Sequence, residues 1–352
     1  MNTQPEIRLG IGILAHNEAG TLPSLVASLF QQSIFHQHRP RFAAIHVVCI
    51  PNGCTDDTAA VARACLDKAV ATLGANNVSC AVEELSTAGK ANAWNHCIHN
   101  ALTAYEFVCL LDADILFASS DTIQAALRRV VEDARVCVAT DLPLKQPGDE
   151  KASLVGRLSE AFSRASPPGP TEICGQFYCA RASVLRSIWI PDGLPVEDGF
   201  LRAMVITNEF RQAEDPQRIV RADGASHFFE SKRSLRELWR HKKRLMIGTT
   251  LNILLFQHLW DHAGEQGAGQ LLRDHSKTDP SWLSQYLSDK VSRHYWVVPM
   301  GHVLRRLGAL RELPVPKAMK RVPVALAATV LDLAVALSAN REIKRGVGLG
   351  YW

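Results

Sequence analysis

Apolar, β-branched runs recur from Ile7 onward, and each is followed by a stretch whose apolar positions fall at helical spacing. IRLGIGIL precedes LPSLVASLFQQ, FAAIHVVCI precedes DDTAAVARACLDKAVATL, VSCAVEEL precedes KANAWNHCIHNALTAY, and FVCLLDAD precedes DTIQAALRRVVEDA; RVCVATDL adds a further strand. Repeated strand–helix pairs predict an α/β fold with a mostly parallel sheet flanked by helices, because each parallel connection must cross a face of the sheet and cover it. The pattern weakens between Pro143 and Pro195. There KQPGDE, SPPGPTE and WIPDGLP read as loops around a helix-like ASLVGRLSEAFSRA. From Lys232 the chain reads as helical: SLRELWRHKKRLMIGTTLNILLFQHLWDHA, a glycine-rich break at GEQGAG, then further helices separated by Pro299, Pro314 and Pro316.

Composition adds little beyond a soluble globular chain: 47% of the residues are apolar and 21% charged. The nine cysteines are odd in number and never spaced C-x-x-C, which argues against a disulfide framework or a zinc cage and for reduced thiols in a cytoplasmic protein. The N-terminus MNTQPEIRLGIGILAHNE lacks the basic and apolar regions of a secretory signal, so none is expected. Charge changes the picture more. The net +4 is concentrated in the tail, where Gly301 to Trp352 carries nine Lys and Arg against three acids, leaving 30 against 32 elsewhere. No nucleic-acid partner is expected. Within that tail, VPVALAATVLDLAVALSAN (residues 322–340) is near the length of a membrane span but holds Asp332 in its middle. A buried core helix is the favoured reading, with an interfacial helix drawn to anionic lipid and a spanning helix left open.

In open sheets ligands bind beyond the carboxyl ends of the strands, and FVCLLDADILF places Asp112 and Asp114 there. Two carboxylates one residue apart can reach a single hard cation, or one can bind the metal while the other takes a hydroxyl. A solvated strand-end turn would show the same D-x-D, so the weight falls on its company. His16, Asn17 and Glu18 follow the first strand. Asn52, Asp56 and Asp57 follow the second and lead into a helix, where N-capping is a competing use for the acids. Gly89 and Lys90 precede the third helix, an anion-friendly position whose bland alternative is a solvated lysine.

The ordered set HNE, NGCTDDT, GKANAWN, DAD, CGQFYCARASVL, PVEDGFL and SLRELWRHKKRL resembles a family 2 inverting glycosyltransferase of the GT-A fold, over about Ile7 to Leu245. The resemblance implies a Rossmann-like catalytic domain at residues 1–247 that binds a nucleotide sugar, and a helical C-terminal region at 248–352 for acceptor or membrane contact. It implies transfer of a sugar from a nucleotide diphosphate sugar, UDP-sugar being favoured, to an acceptor hydroxyl with inversion. The acceptor is a saccharide or is lipid-linked, in cell-surface polysaccharide or glycoconjugate synthesis. Asp112, Asp114 and His227 would hold Mn2+ or Mg2+, Asp112 also touching the donor. His16, Asn17, Glu18, Asn52 and Asp57 would line the nucleoside pocket, and Lys90 would meet the donor's negative charge. Gly175 and Gln176 would sit against the donor sugar. Arg240, His241 and Arg244, in a basic series that begins at Arg236, would meet the diphosphate. Asp198 stands where the family has its catalytic base, with Glu197 in support; a single displacement needs one base and no acid for the leaving group.

Two departures stand out. Pro51 precedes Asn52 where the family often has an Asp, which leaves the nucleotide base open. HKKRL replaces the Gln-x-x-Arg-Trp of processive members, which favours single addition. The expected enzyme is cytoplasmic, with peripheral contact at the inner face of the membrane through the basic tail. Two alternatives are a catalytically degenerate binding module and a metal-dependent phosphatase-type hydrolase; the latter carries its D-x-D after the first strand rather than the fourth.

Overall fold

The computed structural model describes residues 6–36, 42–146, 171–229, 234–312 and 314–346. The helix-like ASLVGRLSEAFSRA lies outside them. Eight strands, β1 (Ile7–Ala15), β2 (Phe42–Pro51), β3 (Val78–Val82), β4 (Phe107–Asp112), β5 (Leu116–Phe117), β6 (Val138–Lys145), β7 (Phe177–Arg181) and β8 (Ile219–Phe229), form one sheet in the order β3-β2-β1-β4-β7-β6-β8-β5. The expected α/β sheet is present, and it is mixed. Strands β1 to β4 are mutually parallel, as are β6 and β8, while β7 runs antiparallel between β4 and β6, and β5 antiparallel to β8.

Alternation along the strands divides the core into two layers. Leu9, Ile11, Ile13, Val47, Cys109, Leu111 and Phe177 face α1 (Leu22–Phe30), α2 (Thr58–Leu73) and α4 (Thr122–Glu132). Val48, Ile50, Val108, Leu110 and Tyr178 face the other side, with α3 (Lys90–His96), α5 (Ala182–Ser187) and α6 (Glu197–Ile206). On that side β1 shows Gly10 and Gly12. A Cβ on Gly10 would stand 2.8 Å from the Leu102 side chain, and one on Gly12 closer still to the Cys97 sulfur. The glycines of IRLGIGIL therefore let the segment after α3 press directly on the sheet.

The C-terminal helices are α7 (Leu235–His262), α8 (Ala268–Thr278), α9 (Trp282–Ser292), α10 (Met300–Ala309) and α11 (Val315–Lys344). Pro299 and Pro314 stand at the N-caps of α10 and α11, where a missing N–H costs nothing. Ile247, Leu251, Leu255, Leu272, Leu287, Val303 and Ala336 join the same apolar cluster as Val108 and Leu110 of the sheet. The boundary at 247/248 falls inside the unbroken α7. Asp332, which interrupts the apolar run of α11, is buried and paired to Lys242 Nζ at 2.8 Å and Arg306 Nε at 3.0 Å. A buried carboxylate is tolerable only when so compensated.

Candidate active site

Because β1, β2 and β4 run parallel, their carboxyl ends reach one edge of the sheet. Strand β7 begins there too, and the Asp112 N–H donates to the Gln176 carbonyl at 3.0 Å. The loop after β1 turns at Asn17 with φ 56°, a left-handed conformation that Asn tolerates. Its residues brace the neighbouring loop: Asn17 Oδ1 accepts the Thr55 N–H at 2.8 Å, His16 Nδ1 meets the Asn52 carbonyl at 2.7 Å, and the Glu18 N–H donates to Thr58 Oγ1 at 2.8 Å. Asp56 Oδ1 accepts the Thr58 N–H at 3.1 Å, so the helix-start use of this acid is the observed one, and Asp57 makes no side-chain cap. Gly53 has φ 57°, and a Cβ there would lie 2.5 Å from the Ala88 nitrogen, which brings the β2 loop against the approach to α3. Asn52 is fully buried, and its Nδ2 donates to the Gly89 carbonyl at 2.7 Å.

Lys90, the first residue of α3, lies inside a ring of acceptors. Its Nζ is 2.8 Å from Asp112 Oδ1, 3.0 Å from Glu197 Oε1 and 3.4 Å from the Gly175 carbonyl. Burial works against its charge, but the two carboxylates more than offset that and hold the ammonium ionised. Asp112 is pushed up to about 6, first by burial and also by the nearby charge of Asp114, against the pull of Lys90. Asp114 itself is exposed at the mouth. Glu18 is raised by burial, against the hydrogen bond from Thr21 Oγ1 at 2.6 Å, and feels Asp114 and Asp56 as well. Glu18, Asp56, Asp112 and Asp114 thus share one acidic rim.

The two acids at the start of α6 are set apart by their surroundings. Burial would raise Glu197, but Lys90 and then Arg244, whose Nη2 is 3.9 Å away, pull it below the ordinary value. Asp198 is raised by burial and by the charge of Glu197, and its Oδ1 accepts the Gly199 N–H at 2.7 Å. A Cβ on Gly175 would come 3.3 Å from Asp198 Cβ, so the absence of a side chain there keeps the acid's flank open. Lys90, Trp94, Asp112, Gly175, Tyr178, Glu197 and Asp198 line a common pocket.

Of the residues singled out from the sequence, Lys90, Asp112, Gly175, Glu197, Asp198 and Arg244 meet here. His16, Asn17 and Asn52 act as braces between loops, and Arg240 and His241 are exposed on α7. His227 is fully buried on β8. Its Nδ1 is 2.7 Å from Asp141 Oδ2 and its Nε2 is 3.4 Å from Gln176 Oε1, and although burial opposes its charge, the Asp141 contact raises it to about 9. Among the described residues no three His, Cys, Asp or Glu side chains gather in a metal-holding group. Asp141 and the Trp94 Nε1 to Tyr178 hydroxyl bond of 2.6 Å were not anticipated; an acid within the apolar run RVCVATDL was the only local signal for the former.

The sequence profile described as glycosyl transferase family 2 matches residues 11–188. In structure the chain is similar to the mannosyltransferase PcManGT from Pyrobaculum calidifontis, solved in complex with GDP-Man and Mn2+. Identity is 17%, 95% of this chain and 88% of that chain are covered, and the TM-score is 0.51. It is also similar to glucosyl-3-phosphoglycerate synthase from Mycobacterium tuberculosis, in complex with Mg2+ and UDP, at 16% identity, with 72% and 80% covered and a TM-score of 0.45. No curated protein matches in sequence. The mannosyltransferase likeness is one of fold.

Proposed function

The chain belongs to glycosyl transferase family 2, and on that premise we propose that it adds a single sugar from a nucleotide diphosphate sugar to an acceptor hydroxyl, with inversion at the anomeric carbon. The observation that carries the reading is the division of labour between adjacent acids. Glu197 is held ionised by Lys90 and Arg244, while burial and Glu197 raise Asp198 toward working pH. Paired titratable groups pushed apart in this way mark an acid/base assignment. Asp198 Oδ1 is occupied by the Gly199 N–H, which leaves Oδ2 to take the acceptor proton. The acceptor oxygen then bonds to the anomeric carbon as the bond from that carbon to the diphosphate breaks, and the electron pair leaves with the nucleoside diphosphate.

The acidic rim fits a hard divalent cation, because carboxylate oxygens are the donors such ions prefer and Asp112 is raised in part by an uncompensated neighbour, Asp114. Asp112 and Asp114 would hold Mn2+ or Mg2+, a reading supported by the Mn2+ in the complex of the mannosyltransferase of similar fold, and His227 supports this corner through Gln176. Such an ion, when bound, neutralises the departing diphosphate. Lys90 keeps Asp112 and Glu197 in place within the pocket. UDP-sugar remains the favoured donor, with a GDP-sugar as its competitor, and the acceptor is a saccharide or lipid-linked hydroxyl of a cell-surface polymer or glycoconjugate. The test is turnover of UDP- and GDP-sugars by the wild type and by Asp198→Asn. Mn2+-dependent release of nucleoside diphosphate by the first and not the second is expected; equal release by both would end Asp198's role as base.

A further inference from the structure

Helix α11 shows two unlike faces. The inner one buries Ala325, Ala328, Val335, Ala336 and Ala339. The outer one carries Met319, Val322, Leu326, Val330, Leu333 and Leu337, three or four residues apart and 38–70% exposed. Side chains at that spacing form one continuous stripe, and a stripe of large apolar groups left in water marks an interaction surface. Met300 and Leu304 of α10, which packs on α11, are exposed as well.

Charge identifies the partner. From Gly301 onward there are three acids, and two of them point inward: Asp332 is paired to Lys242 and Arg306, and Glu342 to Lys243 at 2.5 Å. Arg306 is buried on Asp332, whereas Arg305, Lys317, Arg321, Arg341 and Lys344 are all exposed. Tyr295, 91% exposed, stands by the C-terminal end of α11, its ring centroid 5.9 Å from Lys344 Nζ. An apolar stripe on a helix with exposed Lys and Arg at both its ends and an amphipathic aromatic at one of them has the chemistry of a helix lying in a lipid interface. We propose that the outer face of α11 docks on an anionic lipid surface, the helix lying in the plane of the membrane.

Two other occupants are disfavoured by the same contacts. Arg321–Lys344 is long and apolar enough to cross a bilayer, but crossing would part Asp332 from Lys242 and Arg306 and leave a carboxylate in hydrocarbon. A second copy packed stripe to stripe would bring basic flanks together. Docking also bears on access to the pocket. Lys242 and Lys243 hold α11, while Arg244, the next residue of α7, reaches Glu197 and the Pro195 carbonyl. Helix α7 therefore touches both the docking helix and a catalytic acid, which suits an acceptor presented at a lipid surface.

The test is co-sedimentation of the full chain with vesicles of phosphatidylcholine alone and of phosphatidylcholine mixed with phosphatidylglycerol, across a salt series. Vesicle binding does not depend on turnover, so it can fail while the transferase reading stands, and the reverse. The chain is expected to pellet with the mixed vesicles and to be released as salt rises. Leu326→Glu with Val330→Glu should lower the bound-to-free ratio at least about tenfold, with the melting temperature and nucleotide-sugar turnover unchanged, since both side chains face solvent. Recovery in the supernatant with both vesicle types at low salt would overturn the proposal. So would a wild-type dimer in sedimentation velocity that the double variant dissolves, which would assign the stripe to a second copy.

Discussion

Replacing Lys90 by Met keeps the length of the side chain and removes the one cation that touches both Asp112 and Glu197. At an effective dielectric of ~20, a charge pair about 3–4 Å apart is worth roughly 4–6 kcal/mol before desolvation. The side chains involved are only 19%, 22% and 10% exposed, so solvent screens them little. Glu197 would retain Arg244 at 3.9 Å, whereas Asp112 would lose its ion-pair partner. Stranding a buried charge in this way costs about 3–5 kcal/mol. For 352 residues, the usual unfolding entropy per residue turns that loss into a fall in melting temperature of about 4–7 °C. The sign with pH follows from Asp112. Its folded pKa of about 6 lies above the unfolded value and rises further without Lys90, so the folded variant takes up a proton as pH falls. The Asp112 part of the gap between variant and wild type in urea or thermal unfolding should therefore be widest well above pH 6, narrow as pH falls toward 6 and be gone below it, where the wild-type carboxyl is protonated too. A Lys90→Met protein as stable as the wild type at neutral pH, or a gap that does not change with pH, would refute the clamp.

Other outcomes follow from the same geometry. Asp198→Asn should bind nucleotide normally while losing about 10²–10⁴-fold in kcat; a weakened Kd with kcat preserved would make the residue a binding group. Because the base works ionised and Asp198 is raised by burial and by Glu197, kcat of the wild type should fall on the acid side at a pH above the usual carboxylate range, and a profile flat down to that range would contradict the assignment. Asp114 is exposed, so Asp114→Ala should keep the melting temperature of the free protein yet lose the added thermal shift that Mn2+ gives with UDP or GDP. His258 on α7 is lowered to about 4 by burial and by His262, His275 and Lys290. Its unfolded form takes a proton first, so it should cost stability as pH falls from 6.5 toward 4, on the order of 1 kcal/mol after solvent screening; His258→Gln should flatten that slope.

The parallel half of the sheet was legible because its strands are mostly apolar, each broken by no more than one polar residue such as Arg8, His46 or Ser79 before its carboxyl end. In the antiparallel half only β6 was legible, as the apolar run RVCVATDL. Strand β8 carries Arg221, Asp223 and Gly224 in its middle, and its register against β6 shifts between Thr140 and Leu142, so its alternation is broken. Strand β7 is only five residues long and follows a stretch of loop signals. At the site, Asp112 and Asp198 could be named from motif order, but what surrounds them could not. Lys90 read as an anion binder because Gly89 and a helix start stand beside it; its carboxylate partners lie 22 and 107 residues further on, beyond any local pattern. His227 likewise finds Asp141 across 86 residues. Asp332 read as a flaw in an apolar helix because Lys242 and Arg306, which make it tolerable, sit on other elements.

Inverting transfer from a nucleotide sugar, with Asp198 as base, can be followed in the anomeric proton signals while the wild type consumes a UDP- or GDP-sugar with Mn2+. Nucleoside diphosphate should be released together with a first-formed product, glycoside or free sugar, whose anomeric configuration is opposite to the donor's, and both should be lost in Asp198→Asn. A first-formed product that retains the donor configuration, or undiminished release by Asp198→Asn, would contradict it.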